Sequence, residues 1–372
     1  MTASLRRLGS LTSRLALGAY VPARTAAWPE SSRFFVLGDD IGWSIDDDRA
    51  RLTATALRLG YEVPPSSWAE FAKNQAVFHP SHFDALRPPW TESSHRLGLS
   101  YFHGRPRTDG YPEFDQAFEL LRRHADRIER VQVTHAEMHE LVIAAGVPSD
   151  NVFRIPIGVE LERFPLGDAT ARAQSRGLLG LPEAAFVVGS FVKDGVGLGR
   201  GSEPKLLKGP DILVATLDRL RSAIPELFVL LTGPARGYVR GELERLGVPH
   251  RHVLLRSRDE LARAYHALDL CLITSRQEGG PKASLEAPAA GVPLVTTRVG
   301  QAQELLVDEV EALLADVDDV DALSAAVQRV YDDPVLASRL RAAARAKAET
   351  FSDERLDTRW ERLLDGFVRR VD

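Results

Sequence analysis

The sequence predicts an α/β protein made of two doubly wound domains, each with a central parallel sheet. Short apolar runs alternate with amphipathic segments along most of the chain, which is the pattern of strand–helix–strand units with right-handed crossovers. Most of these runs are continuously apolar, as in strands that are covered on both faces. The chain has 372 residues, too many for one ordinary single-core domain and about right for two.

The first half alternates candidate strands with amphipathic helices. The predicted strands are Arg33–Gly38, Tyr61–Val63, Ala76–His79, Leu99–His103, Arg130–Thr134 and Val152–Ile157. The predicted helices are Asp47–Leu59, Glu113–Arg127 and His135–Ala145. This half predicts one doubly wound domain.

The second half repeats the alternation more regularly and then becomes helical. The predicted strands are Ala185–Val192, Leu227–Gly233, His252–Ser257, Leu270–Ser275, Pro293–Thr297 and Ala312–Ala315, and three helices follow within Asp321–Asp372. Proline and glycine interrupt the pattern at Leu161–Pro182, where we place the join. The predicted organisation is an arm (1–32), a first domain (33–165), a second domain (166–349) and a C-terminal helix that crosses back (350–372). The cleft between two such domains is the expected ligand site.

Composition and charge restrict the partners. With 44% hydrophobic and 27% charged residues and a net charge of −5, the chain has the balance of a soluble globular protein and no basic excess for nucleic acid. The single cysteine, Cys271, lies in an apolar run and fits a core residue in a reducing cytoplasm. Residues 1–29 carry four arginines, no acid and leucines at helical spacing. This arm fits a peripheral membrane contact, a transit peptide or a packed terminal helix.

The segment between Glu278 and Glu286 is the most informative part of the chain. It follows the predicted strand Leu270–Ser275 and opens the predicted helix Lys282–Ala290. Glycines after a strand allow close approach to a ligand, and free amides at a helix start favour an anion such as a diphosphate. The two carboxylates can accept hydrogen bonds from the sugar and the ribose that flank it. Alternatively, Glu278 is an ordinary loop acid and Glu286 a solvated helix residue. Both interpretations stay open at this point.

The spacing of these two acids resembles the signature of family 4 retaining glycosyltransferases of the GT-B fold. Seven residues separate the acids, and Gly291-Val292-Pro293 follows. The resemblance implies that Glu286 holds the donor ribose and that Glu278 lies near the donor sugar. It also implies donor contacts from the intervening segment. Those residues are Gly279, Gly280, Pro281, Lys282, Ser284 and Leu285.

Further segments in register extend the resemblance over Phe153–Phe367. The family places a basic pair beside the donor diphosphate, and Lys193 and Lys208 are the matching residues; fixed cations there stabilise the leaving group. Arg200 or Lys205 in the glycine-rich loop could replace Lys193. Arg256 follows a predicted strand where the family's backbone contacts the nucleotide base. In the first domain, His103 matches a family histidine that faces the donor sugar, and an imidazole there could bind a hydroxyl or relay a proton.

Two other patterns have simpler explanations. The acids of Asp46-Asp47-Asp48 have the spacing used by metal-dependent transferases, but they precede an amphipathic segment and fit a helix start. The glycines of the run 195–199 lack the order and the following helix of a dinucleotide fingerprint. No metal and no cofactor are therefore expected.

The combined interpretation is a metal-independent, retaining glycosyltransferase of the hexosyltransferase type, EC 2.4, located in the cytoplasm. Its catalytic residues would be His103, Lys208 and Glu278. It would move a sugar from a nucleotide diphosphate sugar, UDP favoured over GDP, to a glycan, lipid-linked or small-molecule hydroxyl acceptor. A nucleotide-sugar epimerase, a phosphorylase and a non-catalytic sugar-nucleotide-binding subunit are the alternatives.

Overall fold

A computed structural model describes residues 20–39, 44–197 and 199–370. The predicted N-terminal arm lies outside this range up to residue 19, as do residues 40–43 of the first loop. The chain divides into two compact units: unit 1 is Met1–Ile155 with Leu356–Asp372, and unit 2 is Pro156–Arg355. The sequence-based boundaries at 165/166 and 349/350 stay predictions.

Unit 1 contains a five-stranded parallel sheet in the order β1-β2-β3-β4-β5. Its strands are β1 (Phe34–Val36), β2 (Ala76–His79), β3 (Arg96–Ser100), β4 (Ile128–Val133) and β5 (Val152–Arg154). Its helices are α1 (Ser44–Arg58), α2 (His82–Ala85), α3 (Pro112–Arg123), α4 (Ala136–Ala144) and a C-terminal helix, Asp357–Leu364. Asp46 and Asp47 lie in the first turn of α1, as the helix-start interpretation predicts.

Two strand predictions in unit 1 are wrong. Tyr61–Val63 forms no strand, although the amide of Phe34 donates one hydrogen bond to the carbonyl of Glu62. Two prolines follow at once, and because proline has no N–H the ladder cannot continue. The predicted strand Leu99–His103 is instead β3, which begins earlier and ends at Ser100, so His103 lies in the loop beyond it.

Unit 2 contains a six-stranded parallel sheet in the order β11-β10-β9-β6-β7-β8. Its strands are β6 (Phe186–Ser190), β7 (Leu227–Thr232), β8 (His250–Val253), β9 (Leu270–Ile273), β10 (Leu294–Thr297) and β11 (Leu313–Ala315). Its helices are α5 (Ala169–Leu179), α6 (Pro210–Ala223), α7 (Gly237–Leu246), α8 (Arg258–His266), α9 (Ala283–Ala289), α10 (Ala302–Leu305), α11 (Val320–Asp332) and α12 (Pro334–Glu349). The helix of unit 1 at Asp357–Leu364 is accordingly α13.

The sheet of unit 2 is buried on both faces. Along β6, Val187 and Val188 are both fully buried but belong to two different hydrophobic clusters, because successive side chains of a strand point to opposite faces. The continuous apolar runs in the sequence are explained by this double burial. Cys271 of β9 is fully buried, which confirms its interpretation as a core residue. The helices of the described ranges include none with the length and apolar character needed to cross a bilayer.

Candidate functional site

The strand order of unit 2 reverses between β6 and β9. From β6 the chain moves outward through β7 and β8, and it then returns to place β9 on the other side of β6. In open parallel sheets, ligands bind beyond the carboxyl ends of the strands at such a reversal. A ligand site is therefore expected at the loops that begin after Ser190 and after Ile273.

Lys208 and Glu278 meet beyond this reversal. The Nζ atom of Lys208 lies 2.5 Å from Oε2 of Glu278, and the hydroxyl of Ser275 donates to Oε1 of Glu278 at 3.0 Å. Both Glu278 and Ser275 are buried. The ammonium of Lys208 and the carboxylate of Glu278 thus lie side by side. The ammonium can bind an anionic group of a ligand, and the carboxylate can accept hydrogen bonds from its hydroxyls.

Two features of the adjacent turn place Lys208. Gly209 has a left-handed φ of +60°, and a Cβ there would lie 1.9 Å from the carbonyl oxygen of Thr274. Only glycine fits this close approach of two backbones. Both terminal nitrogens of Arg276 donate hydrogen bonds to the carboxylate of Asp211, at 2.8 and 2.7 Å. This bidentate contact links the start of α6 to the loop after β9.

Glu286 belongs to a second buried group on α8 and α9. Tyr265 donates its hydroxyl proton to Oε2 of Glu286 at 2.9 Å, and Nη2 of Arg258 lies 2.8 Å from Oε1. Burial, with the neighbouring charge of Glu286, raises the pKa of Tyr265 well above its ordinary value, so the phenol keeps its proton. Sequence reasoning missed Arg258 and Tyr265. Their spacing of seven residues, which puts both on one face of α8, was the available signal.

The segment from Gly279 to Leu285 packs closely against the rest of unit 2. A Cβ on Gly280 would lie 2.8 Å from Oε1 of Gln301 and 2.8 Å from Cδ1 of Ile157, so a larger residue there would have to displace the ends of these two side chains. Leu285 is a core residue, which leaves only its backbone for a ligand. Pro281 is buried and Lys282 half-buried, directly before α9. The buried hydroxyl of Ser284 has no hydrogen-bond partner among the described residues.

Lys193 begins the glycine-rich loop after β6. It is half-exposed, and partial burial lowers its pKa. The loop is held by Arg236, a fully buried arginine that contacts the carboxylate of Asp194 at 3.0 Å. The same guanidinium donates to the carbonyl and the hydroxyl of Ser190, at 2.6 and 3.1 Å. Of the two alternatives for Lys193, Lys205 is half-buried and Arg200 is exposed.

Arg256 has a local structural role. The strand before it ends at Val253 rather than at Ser257, and the amide of Arg256 donates to the carboxylate of Glu260 at 2.7 Å. Ser257 accepts from the amide of Glu260, so these residues form a helix start of the capping-box type. The amide of Arg256 is therefore engaged, and its base contact stays a prediction that depends on its carbonyl or side chain.

His103 lies in unit 1, among aromatic rings beyond β3. Its ring centroid is 5.7 Å from that of Phe114 and 6.0 Å from that of His82. His82 is itself stacked on Tyr101, with centroids 4.1 Å apart. Burial, with the charge of His103 as a smaller cause, lowers the pKa of His82 well below its ordinary value. The catalytic role of His103 stays a prediction.

The groups in unit 2 suit an anionic, hydroxyl-rich ligand. Lysines supply fixed positive charge, and two buried glutamates supply acceptors for hydroxyl groups. In the part of the chain that the structure describes, histidine, cysteine, aspartate and glutamate side chains form no group of three or more that could hold a metal ion.

The fold is GT-B, which confirms the sequence prediction. The structure is similar to that of HepE from Anabaena, which was solved in complex with UDP-glucose. That structure has a TM-score of 0.73 at 17% identity, over 90% of this chain and 99% of its own. A glycosyltransferase from Rickettsia africae gives a TM-score of 0.68 at 12% identity, over 91% of this chain and 99% of its own. At these identities the likeness establishes the fold alone.

The match to a family model lies within unit 2. The family model for "Glycosyl transferases group 1" matches residues 196–333. A D-inositol 3-phosphate glycosyltransferase from Xylanimonas cellulosilytica is 34% identical over 59% of this chain and 52% of its own length. D-inositol 3-phosphate glycosyltransferase 1 from Catenulispora acidiphila is 31% identical over 71% of this chain and 63% of its own. The chain thus spans between half and two thirds of these relatives.

Proposed function

We propose that this chain is a metal-independent, retaining glycosyltransferase that moves a sugar from a nucleotide diphosphate sugar, UDP favoured over GDP, to a hydroxyl acceptor. The observation that carries the proposal is the contact between Lys208 and Glu278 at the strand-order reversal of unit 2. The family match spans both residues and also Glu286. The UDP-glucose complex of HepE supports the preference for UDP.

The proposed roles follow from charge. When the sugar departs, the nucleoside diphosphate gains negative charge, and Lys208 with Lys193 would stabilise it. Glu278 would accept hydrogen bonds from sugar hydroxyls, and Glu286 from the ribose. His103 in unit 1 would bind a sugar hydroxyl or relay the acceptor proton. With retention, the departing phosphate oxygen itself can take that proton on the same face of the sugar.

Calorimetry with UDP, GDP, ADP and TDP, in the presence of a chelator, tests the donor site. We expect one nucleotide to bind, and Lys208→Ala and Glu286→Ala each to weaken its binding by about 30-fold or more, since each removes one partner of a buried charged contact. Lys73→Ala, an exposed lysine of unit 1, is the matched control and should bind like wild type. If none of the four nucleotides binds, the proposal is wrong.

The reaction itself is tested with the matching nucleotide sugar and a panel of alcohol acceptors. NMR should show a glycoside that keeps the anomeric configuration of the donor. A product with inverted configuration would contradict retention. An epimerised sugar nucleotide without transfer would favour the epimerase alternative instead.

A further inference from the structure

The two oxygens of Glu286 have different environments. Oε2 accepts the hydroxyl proton of Tyr265, at 2.9 Å. Oε1 lies 2.8 Å from Nη2 of Arg258, but no donor in the described part of the chain is aligned on it as a hydrogen bond. Arg258 therefore compensates the charge of this buried carboxylate, and Oε1 keeps acceptor capacity that no aligned donor of the described residues uses.

Aromatic packing fixes both neighbours of Glu286. The guanidinium of Arg258 lies over the ring of Phe164, 5.3 Å from its centroid. Tyr265 is fully buried and packs against Phe164 at 5.9 Å and against Phe191 at 4.8 Å, measured between ring centroids. Phe191 directly follows β6, so the position of Tyr265 is tied to the loop that carries Lys193. Such packed side chains hold a carboxylate in one orientation at little further entropic cost.

We propose that Arg258 and Tyr265 are positioning residues that turn Oε1 of Glu286 into a ribose detector, so that the site selects ribonucleoside diphosphates over their deoxy analogues. This inference rests on the proposed function. The 2′- and 3′-hydroxyls of ribose each offer an O–H donor, and Oε1 is a buried acceptor that lacks one. A deoxyribose that lacks the donor would leave a desolvated carboxylate oxygen without a hydrogen bond, which is costly in a buried site.

The test compares UDP with 2′-deoxy-UDP and 3′-deoxy-UDP by calorimetry. Wild type should bind at least one deoxy analogue about tenfold more weakly than UDP. In Arg258→Met, and to a smaller extent in Tyr265→Phe, this ratio should fall toward one. Arg258→Lys keeps the charge and should keep part of the preference. Arg263→Met removes an exposed arginine from the same helix and should leave the ratio unchanged.

The ratio separates positioning from a general structural role. If Arg258 only stabilised the fold, its loss would weaken UDP and deoxy-UDP binding in parallel and the ratio would stay at the wild-type value, which would overturn the inference. A wild-type ratio near one would also overturn it while leaving the proposed function intact, and this outcome does not depend on whether Arg258→Met folds. If wild type binds no nucleoside diphosphate, both proposals fail together.

Discussion

The two sheets carry opposite kinds of chemistry at their carboxyl ends. In unit 2 this edge holds compensated charges, and we call it the ionic edge: Asp194, Lys208, Arg236, Glu278 and Glu286. In unit 1 the corresponding edge holds imidazoles among aromatic rings, and we call it the histidine edge: His79, His82 and His103. Both edges lie beyond the carboxyl ends of parallel strands, but their buried polar groups are stabilised in different ways.

On the ionic edge, each buried charge lies beside an opposite charge, whereas on the histidine edge burial disfavours the charged forms of His79 and His82. Burial lowers the pKa of His79 to about 3, so this imidazole is neutral at physiological pH. Its ring packs edge-on to that of Trp90, with centroids 5.0 Å apart. This division fits the proposed reaction, in which the donor carries a diphosphate and the acceptor brings a neutral hydroxyl. The difference can be tested by removing a charge from one edge and by adding one to the other.

The largest effect is expected from Arg236→Met. This change leaves the carboxylate of Asp194 buried without its partner, and breaking a buried pair in this way costs about 3–5 kcal/mol in the free energy of unfolding. All five tryptophans lie in unit 1, so tryptophan fluorescence follows unit 1 during urea unfolding, whereas circular dichroism follows the helices of both units. We expect the variant to shift the circular dichroism transition and to leave the tryptophan fluorescence transition in place where the units unfold separately.

Two further variants interpret that result. Arg245→Met removes an exposed arginine from α7 and should not shift the transition. Arg236→Met/Asp194→Leu leaves neither charge buried and should recover most of the lost stability, since replacing both partners of a buried pair by apolar groups is often neutral. If the single variant is as stable as wild type, Arg236 does not hold the ionic edge.

The next effect concerns protonation of the histidine edge. The pKa of His79 is about 3 in the folded protein, against 6.5 for an unperturbed histidine, so the unfolded chain binds more protons between these values. Stability should therefore fall as the pH is lowered through this window, with about 2 kcal/mol lost through His79 between pH 7.5 and 5.0. Urea unfolding followed by tryptophan fluorescence measures it, because Trp90 contacts His79.

The comparison with His79→Phe isolates this contribution from those of other titrating groups. The phenylalanine variant should lose about 2 kcal/mol less than wild type over the same pH interval. His124→Phe changes a partly exposed histidine of the same unit and should keep the wild-type pH dependence. An unchanged pH dependence in His79→Phe would mean that another group on this edge takes up the proton.

The sequence predicted the sheets well because continuous apolar runs report burial on both faces, a property of each strand by itself. It failed at Tyr61–Val63, where an apolar run is followed by prolines and makes a single sheet-like hydrogen bond to β1. Strand ends were also inexact, since the apolar run at His103 continues past the last paired residue, Ser100.

The candidate site was predictable only where one short segment carries it. Glu278 and Glu286 share a segment, and Lys208 was found through resemblance. The partners of these residues escaped prediction because their importance depends on contacts across the fold. Arg258 is 28 residues before Glu286, and an arginine at a helix start is usually a solvated charge. Arg236 gave no local signal, since only the fold shows that it is fully buried.

The smallest effect is expected from Arg276→Lys, which should weaken UDP binding only slightly. Arg276 grips Asp211 with two parallel hydrogen bonds and donates to the carbonyl of Leu206 at 2.7 Å, so it holds the turn that carries Lys208. Lysine keeps the charge but cannot form the fork, so Arg276→Lys should let this turn move slightly. We expect calorimetry to show UDP binding weakened about threefold, far less than in Lys208→Ala. Arg298→Lys, which alters an exposed pair in the same unit, should bind UDP like wild type. A loss of UDP affinity as large as that of Lys208→Ala would instead mean that Arg276 contacts the nucleotide directly. Arg276 would then belong to the ionic edge, although it is only half-buried.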